Sequence, residues 1–133
     1  MPTQPEPFPL PEDLLPVLQP GEYVFLCLKD PNRVSRADTL AMFQEAEGLT
    51  VIMARQKADA LRLPYEYVAR WITLTAPTGL HAVGITAAFS TALARAGIAC
   101  NVVAGFHHDH LFVSVADAER AIEALQGLPR PPS

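Results

Sequence analysis

Apolar and polar positions alternate most clearly over residues 66–75. Val68, Ile72 and Leu74 fall on one side there, and Tyr67, Trp71, Thr73 and Thr75 on the other, the signature of a strand with two distinct faces. The period then changes to 3.6. Ile85, Ala88, Phe89, Ala92, Leu93 and Ala96 form one stripe, which predicts a helix over residues 80–96 that Gly97 ends. Two strands, residues 99–106 and 109–115, flank a histidine-rich turn. A last helix is then expected, capped by Asp117 and burying Ala118, Ala121, Ile122 and Leu125.

The first half is patterned differently. Residues 23–28 are almost continuously apolar, as a strand covered on both faces would be. Asp38 is placed to cap a helix running to Glu47 that buries Leu40, Phe43 and Ala46, with Gly48 supplying the left-handed turn behind it. A strand over residues 49–53 and a short helix over 55–61 follow, and Pro64 forces the chain extended. Residues 1–20 contain seven of the thirteen prolines, which excludes a helix or a central strand. Phe8, Leu10, Leu14, Leu15, Val17 and Leu18 make that segment apolar enough to dock on the body as an extended arm.

The order is therefore β-α-β-α followed by β-α-β-β-α, and the second series lacks the edge strand that would close its sheet. An open apolar edge invites aggregation, so the halves are expected to complete each other; a swapped dimer is the alternative. This is an α/β chain of the α+β sandwich type. It divides into an arm (1–20), an N-terminal half (21–65), a C-terminal module (66–127) and a tail (128–133).

The second series, with its Gly-marked first loop at Pro77-Thr78-Gly79, resembles the ACT domain, a family of small amino-acid-sensing modules with a ferredoxin-like fold. Glu45-Ala46-Glu47-Gly48-Leu49-Thr50, Arg70-Trp71-Ile72-Thr73-Leu74 and Ile98-Ala99-Cys100-Asn101-Val102-Val103-Ala104-Gly105 resemble phrases of a bacterial branch of tandem ACT-type proteins. The resemblance spans residues 20 to 127. It implies a non-catalytic regulatory protein that binds a free amino acid.

Composition narrows the partners. The formal net charge of −4 argues against a nucleic-acid surface, and neither half carries a basic patch. Only 18% of the residues are charged while 50% are apolar, so part of the exterior is expected to lie against another copy, in a homodimer or larger homo-oligomer. Residues 71–94 carry no formal charge, but Pro77, Gly79, Gly84 and the mid-segment change of period exclude a membrane span. Cys27 and Cys100 read as buried free thiols of a cytoplasmic protein, and the N-terminus lacks the pattern of a secretory signal.

All four histidines fall in two connections, His81 in one and His107, His108 and His110 in the other. The expected topology places those connections at the same end of the sheet. The backbone of Thr78, Gly79, Leu80, His81, Ala82 and Gly84 then offers N–H groups at a helix start, suited to a carboxylate. Asp109, in phase with Leu111, Val113 and Val115, turns toward the helical side and suits an ammonium group. His108 and His110 take the opposite face at the rim of the same site. A metal reading of these imidazoles ranks behind, because neither connection holds a cysteine or a second acid. No metal, cofactor or catalytic residue is assigned, and no nucleophile elbow or phosphate loop occurs. A module that only makes contacts, without a ligand, is the remaining alternative.

Overall fold

The computed structural model describes residues 15–75, 80 and 84–128. Among the described residues there are seven strands: β1 (Pro16–Leu18), β2 (Tyr23–Leu28), β3 (Ala41–Glu45), β4 (Gly48–Ala54), β5 (Val68–Leu74), β6 (Cys100–Ala104) and β7 (Asp109–Ser114). Three helices accompany them: α1 (Arg55–Ala60), α2 (Ile85–Arg95) and α3 (Ala118–Gln126). Every strand pairing is antiparallel, in the order β3-β4-β2-β5-β7-β6, with β1 also on β5.

One edge of β5 is divided between two strands. Tyr23 and Val24 of β2 pair with Ala69 and Val68, while Pro16, Val17 and Leu18 of β1 pair with Leu74, Thr73 and Ile72. The proline-rich arm thus supplies the edge strand missing from the second half. β5 in turn closes the first half, so the two halves complete each other through a shared strand. Pro16 is tolerated because an antiparallel ladder directs alternate N–H groups outward. Backbone bonds to β5 flank it at Leu15 and Gln19.

The helices cover one face of the sheet. Ile72, Leu74, Leu111 and Val113 pack there against Phe89 and Leu93 of α2 and Ala121 and Leu125 of α3. Val24, Leu26, Val51 and Met53 pack beside them against Ala58 of α1. The opposite face holds an aromatic cluster in which Tyr23, Phe25, Tyr67 and Trp71 surround Phe112.

Four expectations are corrected. Residues 41–45 form a strand, not a helix. Phe43 is 71% exposed, and Asp38 accepts from the backbone and hydroxyl of Ser35 in a 3-10 turn. The spacing of Leu40, Phe43 and Ala46 mimicked a helical stripe, but the open edge of β4 recruits these residues as a partner strand. Gly48 opens β4, where a Cβ would lie 2.8 Å from the Leu28 carbonyl oxygen. Second, β2 is buried on its helix side only, and Cys27 is exposed. Third, α2 begins at Ile85, because Gly84 precedes it in the left-handed region with φ 89°. Fourth, Asp117 stands before α3 but makes no cap bond, its carboxylate being paired with Arg120 at 2.9 Å.

Candidate functional site

The register of β5 with β7 sets the geometry of the site. Thr73 pairs with His110, so the chain leaves β5 beside the first residue of β7, Asp109. Strand alternation then separates the two chemistries of the hairpin. Asp109 shares the helix-side face with Leu111 and Val113, while His110 takes the opposite face with Phe112.

Asp109 is 8% exposed, an unusual position for a carboxylate, and it is not without a partner. Gly84 stands at the start of α2 and its carbonyl accepts from Ala88 N–H at 3.0 Å. Leu80 is exposed. Thr78, Gly79, His81 and Ala82 lie outside the described residues. His108 is half-buried in the hairpin turn, where its carbonyl oxygen accepts from Gly105 N–H at 2.9 Å. His107 is exposed and meets Phe106 edge-on.

His110 is more constrained than its sequence position suggests. Trp71 Nε1–H donates to His110 Nδ1 at 3.0 Å, and Thr73 Oγ1 lies 3.2 Å from the same nitrogen. Gln19, just past β1, donates its side-chain N–H to Thr73 Oγ1 at 3.0 Å, which links the arm to the imidazole. With Nδ1 accepting, the neutral ring carries its proton on Nε2. Burial pushes the imidazole below the usual histidine range, and the neighbouring His108 adds to this while Asp109 opposes it.

Sequence reasoning missed the parts Gln19, Thr73 and Gly105 play here. Gly105 is required by close approach, since a Cβ would lie 2.8 Å from the His108 carbonyl oxygen and 3.0 Å from His110 Nε2. A glycine two residues before a histidine pair was the available signal. Trp71, expected in the core or against a partner, lies half-buried within the chain's own aromatic cluster.

Two cavities among the described residues bear on ligand binding. One of about 360 Å³ lies over the start of α1 and is lined by polar groups including the Arg55–Glu22 ion pair. The other, of about 230 Å³, lies on the helix-free face between Leu40, Ala41, Trp71, Val103, Gly105, His110 and Phe112. Among the described residues no group of three or more His, Cys, Asp or Glu side chains is placed to hold a metal ion. Cys100 is a free thiol, and burial pushes it up to about 11, so it is protonated at neutral pH.

This architecture, two incomplete ferredoxin-like units sharing β5, matches known proteins. Residues 10–70 match the ACT domain family, and residues 66–127 match the ACT domain a second time. The chain is a tandem ACT-domain protein. A crystal structure of a protein of unknown function from Vibrio cholerae, described as a possible transport protein, is 41% identical. That match covers 83% of this chain and 85% of the other, with a TM-score of 0.76. A protein from Agrobacterium tumefaciens is 20% identical over 85% of this chain and 87% of its own, with a TM-score of 0.65. The ligand-free regulatory subunit of aspartate kinase from Thermus thermophilus shares the fold at 9% identity. It is matched over 90% of this chain and 100% of its own, with a TM-score of 0.67. No curated protein matches the chain. ACT modules are regulatory rather than catalytic, and membership supports a regulatory, ligand-binding role. Among the described residues no helix is long and apolar enough to cross a membrane.

Proposed function

We propose that this chain is a non-catalytic regulatory protein of the cytoplasm that binds a small molecule, a free amino acid, at the end of the sheet where β5 exits beside Asp109. The observation that carries this reading is the nearly buried carboxylate of Asp109 on the helix side of β7. A carboxylate there is suited to an ammonium group. The segment between β5 and α2, which includes Thr78, Gly79, Leu80, His81, Ala82 and Gly84, is the candidate partner for the ligand's carboxylate, with His108 and His110 at the rim. The likeness to a regulatory subunit of aspartate kinase fits a ligand of this class.

Calorimetry of the full chain against the twenty amino acids tests the site. One of them is expected to bind saturably, and Asp109→Asn to weaken it by about 10–150-fold, the loss of a charge-assisted hydrogen bond. Unchanged affinity in Asp109→Asn removes Asp109 from the site. Binding that a chelator abolishes, with His108→Ala and His110→Ala the dominant losses, would favour a metal instead.

The same reading holds that the chain works as a homodimer or larger homo-oligomer. Phe43 and Phe106 support it, at 71% and 76% exposed, since bare phenyl rings of this kind are common at protein contacts. Sedimentation at micromolar concentration that finds only single chains would overturn this part.

A further inference from the structure

We propose that the helix-free face carries a second small-molecule site, for a compact uncharged apolar molecule bearing one hydrogen-bond-accepting oxygen. The site is the cavity of about 230 Å³ on that face. It lies on the other side of the sheet from Asp109 and shares only His110 with the proposed amino-acid site, so the uncharged probes below and Asp109→Asn test the two separately.

Its construction is specific to the tandem arrangement. β3 and β6 are the two outer strands of the sheet, yet Leu40 and Ala41 at the entry to β3 line the same cavity as Val103 of β6 and Gly105 just past it. The sheet curls to bring its two edges around one space, and neither half encloses it alone. Phe112 and Trp71, stacked at an interplanar angle of 16°, line it between the two edges. A pocket with aromatic and aliphatic walls and a few placed polar groups is the usual form of a small-molecule site.

The polar groups decide the ligand class. No lining residue carries a formal charge, so a carboxylate or ammonium group entering the cavity would lose water without gaining a counter-ion. The Trp71 N–H is already given to His110 Nδ1, which leaves the His110 Nε2–H as the donor on offer. It sits against Gly105, and a side chain at 105 would press on it. Among the described residues no group accepts from this N–H. A neutral carbonyl or ether oxygen satisfies it, and a hydrocarbon does not.

The experiment titrates the full chain with cyclohexanone, following calorimetric heat and the fluorescence of Trp71, the chain's single tryptophan. A saturable response is expected. Methylcyclohexane, which lacks the oxygen, is expected to bind about three- to tenfold more weakly, the loss of one neutral hydrogen bond. Cyclohexanecarboxylate is expected to bind more weakly still. Val103→Phe, which fills the cavity, is expected to remove the response in a chain that still melts cooperatively. A linear, non-saturating fluorescence change without heat overturns the proposal. So does equal or tighter binding of the carboxylate, or undiminished binding to a folded Val103→Phe chain. The ligand comparison uses the unaltered chain and decides the question even where the variant fails to fold.

Discussion

Trp71 on β5 and His110 on β7 are joined by an indole-to-imidazole hydrogen bond of 3.0 Å, on the face of the sheet opposite the three described helices. The bond fixes the imidazole tautomer, and through Thr73 and Gln19 it ties the hairpin end of the second half to the arm at the beginning of the chain. A side chain that the sequence placed only at the rim of a site is therefore part of the packing of the sheet.

Trp71→Phe keeps a ring in the aromatic cluster but removes the donor. The Thr73 hydroxyl remains beside Nδ1, so the expected loss is modest, about 0.5–1.5 kcal/mol in urea denaturation. Nitrogen NMR of His110 should show the tautomer preference weakened. An unchanged imidazole spectrum would mean the bond does not form in solution.

The chain should lose stability as the solution is acidified below the ordinary histidine range. Burial holds the folded His110 pKa below the ordinary histidine value of about 6.5, so in that window the unfolded chain binds more protons than the folded one. The contribution is complete above about 6.5 and is lost as pH falls through the lower folded value. Protonating Nδ1 would also set its N–H against that of Trp71. Thermal melts from pH 8 to 5 should show the decline, and His110→Gln should flatten that part of it.

Removing the arm should expose the edge of β5. A chain beginning after Leu18 leaves Ile72, Thr73 and Leu74 without the strand partner they have in the whole protein, and light scattering should detect self-association. A milder test is Val17→Pro, which removes one ladder N–H opposite Thr73 and should cost about 1–3 kcal/mol. A truncated chain that remains monodisperse and melts cooperatively would show that the edge of β5 does not need the arm.

Much of this fold is written in local pattern, and the exceptions have physical causes. The stripe of Ile85, Ala88, Phe89 and Leu93 places α2 because a helix meets its core through side chains three and four residues apart. β5 alternates because its two faces meet different neighbours, helices on one side and the aromatic cluster on the other. Residues 41–45 were opaque because their cue is the edge of β4, not their own spacing. The burial of Asp109 was legible from its phase with Leu111 and Val113. The bond between Trp71 and His110 was not, since the register that aligns Thr73 with His110 is fixed only when distant strands pair.

Gly105→Ala should disturb the hairpin more than a single methyl suggests. Its Cβ would meet the His108 carbonyl oxygen at 2.8 Å, a backbone atom that cannot swing aside. The turn must open, at about 1–3 kcal/mol as for other overpacked sites. The His110 ring should shift with it, visible as a changed Trp71 emission. A variant with unaltered stability and emission would show that the hairpin has more room than these distances allow.

The pairing of the arm with β5 also has a consequence in time. Leu15 and Thr75 bond across a span of 60 residues. During synthesis the arm emerges before its partner strand, which at 5–20 residues per second follows roughly 3–12 s later. In that interval β3 and β4, which are adjacent in sequence, have already been made, whereas the arm has no strand to join. The arm is thus made before these strands and finds its place after them. Any factor that captures the arm on the ribosome would delay the closing of the second half.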